Sequence, residues 1–353
     1  MKQIMVVGGS GVLGQLICHE LLRIFDHTIH LVVSDYKTNR GQKTAQSFGK
    51  NATFRFLDVN HPDSIEQAIH HIDLVIVALK QPKPTIQKQC IKNKVFCIDV
   101  TTFKDFVDMT KELDQEAREN NVGLIVMSGF FPGLSGLLVK KAIANFNEVS
   151  EVNVGLLQNT NAKVGLSGTL DMLKIINQEV HMLNGEKIPG FSKTRHMTFS
   201  HPLDQRKVRL IDHAEKNYLA EILPIEKINF WTAWNKNSFN SLIALLKRLH
   251  VIDRILQWNN QKFLSTFIKH NPKQTEEAAI SIEVKGVLEN KECSKTIALT
   301  AFSDYHTTAI FTSALAKIAT EKEITGVVFP VEITDLEEIL SQMDCPKITL
   351  NEF

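Results

Sequence analysis

The sequence predicts an α/β fold for its first third, a doubly wound parallel sheet with helices on both faces. Two observations carry this. Short apolar runs alternate with stretches of helical periodicity, and the first run ends in a glycine turn that opens a helix. Residues 4–7 form a continuous apolar run, as a buried parallel strand does. Val12, Leu13, Leu16, Ile17, Leu21 and Leu22 then recur at helical spacing.

The alternation continues in order. A strand over residues 30–34 ends at Asp35, and a helix containing Ala45 and Phe48 follows. The strand over 53–57 stops at Asp58. After the turn Asn60-His61-Pro62, a helix with Ile65, Ala68 and Ile69 leads into the strand 74–79. Another unit runs from Pro84 to the strand 95–98, ending at Asp99, and a helix over about 105–120 precedes the strand 124–127. Right-handed crossovers put every carboxyl end of such a sheet on one edge, where ligands bind. Gly14, Asp35, Asp58, Leu79, Asp99 and Ser128 are therefore expected along one rim.

Gly9-x-Gly11-x-x-Gly14 supplies the three glycines of a dinucleotide fingerprint. Gly9 is expected to make the tight turn. Gly11 leaves room for a pyrophosphate, and Gly14 lets helix and strand pack closely. Backbone N–H groups around Ser10, Val12 and Leu13, with the positive end of the helix, would face the phosphates. Asp35 stands about 20 residues beyond Gly14, where an acid accepts ribose hydroxyls and repels a 2′-phosphate. This leans toward NAD over NADP, although Lys37 and Arg40 could hold a phosphate if Asp35 turned away. Asp58 and Val59 at one strand end, and Ala78 and Leu79 at another, complete the cofactor-facing set; helix capping is the structural alternative for Asp58.

Bulk properties bound the function. The 353 residues suit two domains. Forty basic and 39 acidic side chains nearly cancel, leaving no footprint for nucleic acid. Cys18, Cys90, Cys97, Cys293 and Cys345 are scattered and form no Cys-x-x-Cys pair, so neither a metal site nor a disulfide framework is expected. Met1 leads almost directly into the first strand, which leaves no room for a leader, so a cytoplasmic chain is expected.

Four stretches resemble the saccharopine dehydrogenase-like oxidoreductases: GGSGVLG from Gly8, LDVNHPDSIEQAI from Leu57, VFCIDVTT from Val95 and SGFFPGLSGLL from Ser128. Tyr305, His306 and Thr307 opening an Ala-rich helix, followed by GVVFPVE from Gly326, add a weaker echo. The resemblance implies a Rossmann domain over 1–127 and an α+β domain on an antiparallel sheet over 128–303. It also implies that 304–353 returns to the first domain. A helical insertion is expected over about 236–272. Residues 280–288 and 296–302 alternate like paired strands joined by the polar turn 289–292, and strands over 151–157 and 228–234 could complete that sheet. The chain departs from many relatives by having Lys80 and Gln81 before Pro82, and Phe103 after the Asp99 strand.

The resemblance implies an NAD(P)-dependent oxidoreductase acting on a small molecule, with hydride transfer at the C–N bond of an amino-acid-like substrate, in a homodimer. The alternative is a non-catalytic dinucleotide-binding sensor, or a module associated with a membrane or partner. Candidates for the proton are Asp99, Lys80 and His306; an N-cap is the structural reading of Asp99. The turn Phe130-Phe131-Pro132-Gly133 is expected to aim a helix N-terminus at the nicotinamide side. Arg195, Arg206 and Arg209 either bind an acidic substrate or are solvated strand residues. A Tyr-x-x-x-Lys pair is excluded, because Arg40, Ile222 and Ala309 follow the three tyrosines at that spacing. The apolar stripe of residues 242–256, with Lys247, Arg248, His250 and Arg254, reads as core packing, a dimer seam or a helix resting on a membrane.

Overall fold

The computed structural model describes residues 1–258 and 270–353. The chain divides into two compact units, Met1–Leu137 with His306–Asp344, and Leu138–Tyr305 with Cys345–Phe353.

Unit 1 is built from β1 (Gln3–Val7), α1 (Val12–Ile24), β2 (His30–Asp35), α2 (Thr38–Ser47), β3 (Ala52–Phe56), α3 (Pro62–Ile69), β4 (Leu74–Val77), α4 (Thr85–Lys92), β5 (Phe96–Asp99), α5 (Lys104–Lys111), α6 (Asp114–Glu119) and β6 (Gly123–Ile125). The helix α7 (Leu134–Ile143) runs on from it into unit 2. The sheet order is β15-β6-β5-β4-β1-β2-β3, where β15 is Gly326–Val328, and every pairing is parallel. After β3 the chain returns to the other side of β1, so strand order reverses between β1 and β4, the position where such sheets bind ligands. Ile4, Met5, Val6, Leu31, Val32 and Val75 are fully buried, which accounts for unbroken apolar strands rather than alternation. The single helix expected over 105–120 is two, α5 and α6, parted at Glu112–Leu113.

Unit 2 comprises β7 (Glu148–Gln158), α8 (Leu166–Asn177), β8 (Glu179–His181), β9 (Lys187–Pro189), β10 (Thr194–Thr198), β11 (Gln205–Ile211), α9 (Glu215–Ile222), β12 (Ile228–Trp234), α10 (Asn237–Arg248), α11 (Val251–Gln257), β13 (Ala278–Leu288) and β14 (Lys291–Ala301). Its sheet runs β10-β11-β12-β7-β13-β14-β16, where β16 is Thr349–Glu352. The expected antiparallel sheet is a mixed one, because β12 and β7 pair in parallel while the other neighbours are antiparallel. The β13–β14 turn is also tighter than the sequence reading. Glu289 and Asn290 both have positive φ, as a two-residue hairpin needs, so pairing continues to Leu288↔Lys291. Leu157, Met197, Phe199, Val208, Leu210 and Trp231 form a buried cluster on one face.

The chain's second passage through unit 1 starts in α12 (Asp304–Glu321), whose residues from His306 on belong to that unit, and continues through β15, α13 (Pro330–Ile333) and α14 (Leu336–Met343). The last nine residues differ from expectation: β16 (Thr349–Glu352) pairs with β14 in unit 2 instead of returning to the first domain. The apolar stretch 242–256 is two helices, broken at His250 with φ of 55°. Residues 259–269 of the expected helical insertion lie outside the described residues. Among the described residues no helix is long and apolar enough to cross a membrane.

Within unit 1, α12 is pinned to α1 by a buried carboxylate. His306 Nε2 lies 2.8 Å from Glu20 Oε1, and Arg23 Nε donates to Glu20 Oε2 at 2.6 Å. Burial pushes the Glu20 carboxyl up, yet the hydrogen bonds from His306 and Arg23 outweigh it and hold the group at about 2. A carboxyl depressed by folding stabilises fully above its unfolded value, near 4.5, and that contribution is lost as pH falls toward 2. Glu20→Gln is expected to cost about 1–3 kcal/mol at pH 7. In thermal melts the gap between parent and variant should shrink as pH is lowered through this window; a constant gap would contradict the assignment.

Candidate functional site

The turn after β1 is the most constrained backbone on the rim. Gly8 has φ of 80°, and the N–H groups of Gly8 and Gly9 both donate to Ser34 O at 3.0 and 3.1 Å, folding the turn onto the end of β2. The sequence assigned the tight turn to Gly9, but the left-handed residue is Gly8, which faces Ala78 and Leu79 so closely that a β-carbon would lie 3.1 Å from each. Gly9 is needed for packing instead, since its β-carbon would lie 2.9 Å from Val6 O. The doublet Gly8-Gly9 was the available signal; Ser34 offered none.

Gly11 and Gly14 differ sharply. A β-carbon on Gly14 would stand 2.2 Å from Gly8 O and 2.7 Å from Gly9 Cα, so only hydrogen fits. At Gly11 a β-carbon would meet Gly8 O at a tight 3.2 Å and nothing else within 4 Å, so the side away from Gly8 is open. Gly11 is the N-cap of α1, and no acidic side chain occupies the first turn. The first helical N–H groups have no carbonyl within the helix to bond, and the positive helix end is left for an external anion. Val12 is 37% exposed beside this opening, and the buried Ser10 hydroxyl has no hydrogen-bond partner among the described residues. Open backbone donors and a spare hydroxyl are the chemistry a pyrophosphate requires, so these residues fit a dinucleotide.

Asp35 ends β2 on the same rim, but its carboxylate is spent. Arg40 Nη2 donates to both oxygens at 2.9 and 2.6 Å, Arg40 Nε to Oδ2 at 3.0 Å, and the Lys37 backbone N–H to Oδ1 at 2.8 Å. The Asp35 side chain is 1% exposed while that of Arg40 is 47% exposed. The expected ribose acceptor is thus the anchor of a cation. The Lys37 ammonium and Arg40 guanidinium lie 5.5 and 5.9 Å from the exposed Tyr36 ring. Asp58 turns its Oδ1 to the N–H of Asn60, and the N-cap of α3 is His61, so the capping alternative fails. Val59, Ala78 and Leu79 are half-buried.

Further along, Asp99 ends β5 almost completely buried. Gln87 Nε2 donates to Oδ2 at 2.6 Å, Gln81 Nε2 to the same oxygen at 3.4 Å, and the Thr101 N–H to Oδ1 at 2.7 Å. Burial raises the carboxyl to about 6, against the pull of these hydrogen bonds. It is not a helix cap, for α5 is capped at Phe103. Sequence reasoning marked Gln81 only as a departure before Pro82 and missed Gln87, because no spacing shows that a loop amide and an α4 amide converge on Asp99. The Lys80 ammonium lies 3.5 Å from the Phe103 ring centroid, a cation–π contact. His306, the third proton candidate, is held by Glu20.

Ser128 N donates to Asp99 O at 3.1 Å, and Ser128 O accepts from the Thr312 hydroxyl at 2.6 Å, which ties the loop after β6 to α12. The expected anion site at the N-terminus of α7 is closed. The N–H groups of Leu134, Ser135 and Gly136 already bond to the carbonyls of Gly129, Phe130 and Gly133. Within unit 2, Arg195 pairs with Glu283, Arg206 bonds Leu203 O, and Arg209 bonds Phe191 O. Each of the three arginines is thus engaged within unit 2.

Residues 4–125 match the family described as saccharopine dehydrogenase NADP binding domain. That description names NADP, against the lean toward NAD. No curated protein matches the sequence. Among solved structures, apo histidine-tagged saccharopine dehydrogenase (L-Glu forming) from Saccharomyces cerevisiae is similar over 100% of this chain and 99% of that one, with a TM-score of 0.74 and 14% identity. At that identity the likeness shows a shared fold. A mutant meso-dapdh from Clostridium tetani E88 (12% identity, 98% and 97% coverage, TM-score 0.47) and C. glutamicum DAP dehydrogenase in complex with DAP (10%, 98% and 99%, 0.48) superpose too loosely to bear on the site.

The two helix glycines give separable outcomes. Gly14→Ala should cost about 1–3 kcal/mol, as an overpacked contact does, and lower the melting temperature. Gly11→Val should cost about 1 kcal/mol of stability, as a poor N-cap residue does, yet lose about tenfold or more in dinucleotide affinity by fluorescence titration. Undiminished binding by Gly11→Val would remove the turn from the site.

Proposed function

We propose, from the premise that the first domain is saccharopine dehydrogenase-like and NAD(P)-binding, that the protein is an oxidoreductase transferring hydride at the C–N bond of an amino-acid-like substrate. The open backbone cradle at Gly11 carries the reading. The yeast protein that shares the fold, a saccharopine dehydrogenase that forms L-Glu, supports the amine/imine class. A bound dinucleotide supplies or accepts the hydride. The chain's own residues grip its phosphates through the first turn of α1, with Ser10 beside them, and manage a proton on the substrate nitrogen.

Asp99 is the proton-managing group of this reading. A carboxyl near 6 populates both forms close to neutrality, which general acid–base work needs. Gln81 and Gln87 hold Oδ2, and the Thr101 N–H holds Oδ1.

The cofactor in this reading is NADP. Arg40 presents a half-exposed guanidinium whose direction is set by a buried acid, and Lys37 stands beside it. Planar guanidinium donors match a 2′-phosphate, and Asp35, neutralised by Arg40, no longer repels one.

NADPH is expected to bind more tightly than NADH in fluorescence titration, and Arg40→Ala should weaken NADPH by about tenfold while leaving NADH nearly unchanged. Equal affinities in the parent would sink the preference for NADP. Turnover with a panel of amines and oxo acids should show a pH limb near 6 that Asp99→Asn abolishes, with a rate loss of about 10²–10⁴-fold and unchanged cofactor affinity. Folding raises the Asp99 pKa, so stability from its neutral form is complete below 3.8 and is lost as pH rises through 6. Asp99→Asn is therefore expected to gain on the parent in melting temperature as pH rises from about 4 to about 7, which separates chemistry from folding. An unaltered pH profile would return Asp99 to a structural role.

A further inference from the structure

We infer that the outward face of α10, with the end of α11, is a docking surface for an anionic lipid bilayer. Leu242, Leu245 and the C-cap Leu249 are 49%, 51% and 57% exposed, although each is a large apolar side chain. At about 100° per residue they fall within about 60° of one another on the helix, a single stripe. The opposite side is the packed one. Asn240 and Ile243 are buried there, and Lys247 turns inward to donate to the carbonyl of Ile176. The exposed leucines are thus not a core face awaiting better packing, because the helix already has its core face.

Charge selects the occupant. Between Lys236 and Trp258 the sequence carries Lys236, Lys247, Arg248 and Arg254 against a single acid, Asp253, with His250 between. Lys236, Arg248, His250 and Arg254 are exposed. Arg248 lies about 60° around the helix from Leu245, at the border of the stripe. Asp253 is engaged by Asn177 and His250. Apolar residues bordered by cations are the pattern of a helix lying in the plane of a membrane interface. Trp258, 60% exposed just beyond α11, is a residue type that settles at headgroup level. A second copy fits less well, since two-fold pairing of this stripe would bring the same cations face to face. With no described helix able to cross a bilayer, the contact would be superficial and reversible.

The test uses the full chain with vesicles of phosphatidylcholine, alone or mixed with phosphatidylglycerol. Flotation is expected with the mixed vesicles and absent with phosphatidylcholine alone, and salt should weaken it. Arg248→Glu should reduce binding by about fivefold or more. Leu245→Glu should abolish flotation while melting at the parent temperature, because the side chain is already half in water. Absence of flotation with anionic vesicles overturns the proposal, as does flotation that Leu245→Glu leaves intact. A dimer in light scattering that Leu245→Glu converts to monomer also overturns it, by assigning the stripe to a second copy.

Discussion

A β-carbon on Gly14 would lie 2.2 Å from the carbonyl oxygen of Gly8, so the first turn of α1 reaches the bend after β1 only because hydrogen occupies that position. The rest of the rim inherits its geometry from this approach. It sets where α1 begins and leaves Gly11 as a bare N-cap over open space. It also lets the N–H groups of Gly8 and Gly9 share the carbonyl of Ser34. Because β1 sits where strand order reverses, the helix end stands over the crevice that a doubly wound sheet leaves for a ligand.

Within unit 1, the buried acids Asp35, Glu20 and Asp99 are all satisfied from within the fold. Asp35 takes Arg40, Glu20 takes Arg23 and His306, and Asp99 takes two amides and a backbone N–H. The partners decide the consequence. A guanidinium and an imidazole hold Glu20 well below its ordinary range, whereas neutral amides cannot compensate the desolvation of Asp99. Two carboxylates in one domain are thereby pushed in opposite directions, one toward a permanent brace and the other toward exchangeable protonation near neutral pH.

Unit 2 is organised by pairing rather than by crossover helices. The long β13–β14 hairpin gives β7 an antiparallel neighbour on one side, and β12 runs parallel on the other. A parallel neighbour needs a long connection, and the α8, β8–β9, β10, β11 and α9 segments supply it. The helix pair α10–α11 follows β12, with leucines outward that neither the sheet nor its own partner helix covers.

The sequence alone was enough for the parallel sheet, its rim and the glycine turn, because strands buried on both faces need uninterrupted apolar runs and a close helix approach needs glycine. Asp99 at a strand end was legible for the same reason. The tertiary structure decided what those residues touch. That Arg40 would consume both oxygens of Asp35, that Gln87 would reach the strand-end Asp99 from α4, and that Glu20 would claim His306 depends on side-chain directions between separate elements. The single parallel pair in the second sheet and the outward leucines of α10 belong with these. Periodicity reports that a face is apolar, but only packing determines whether anything covers it.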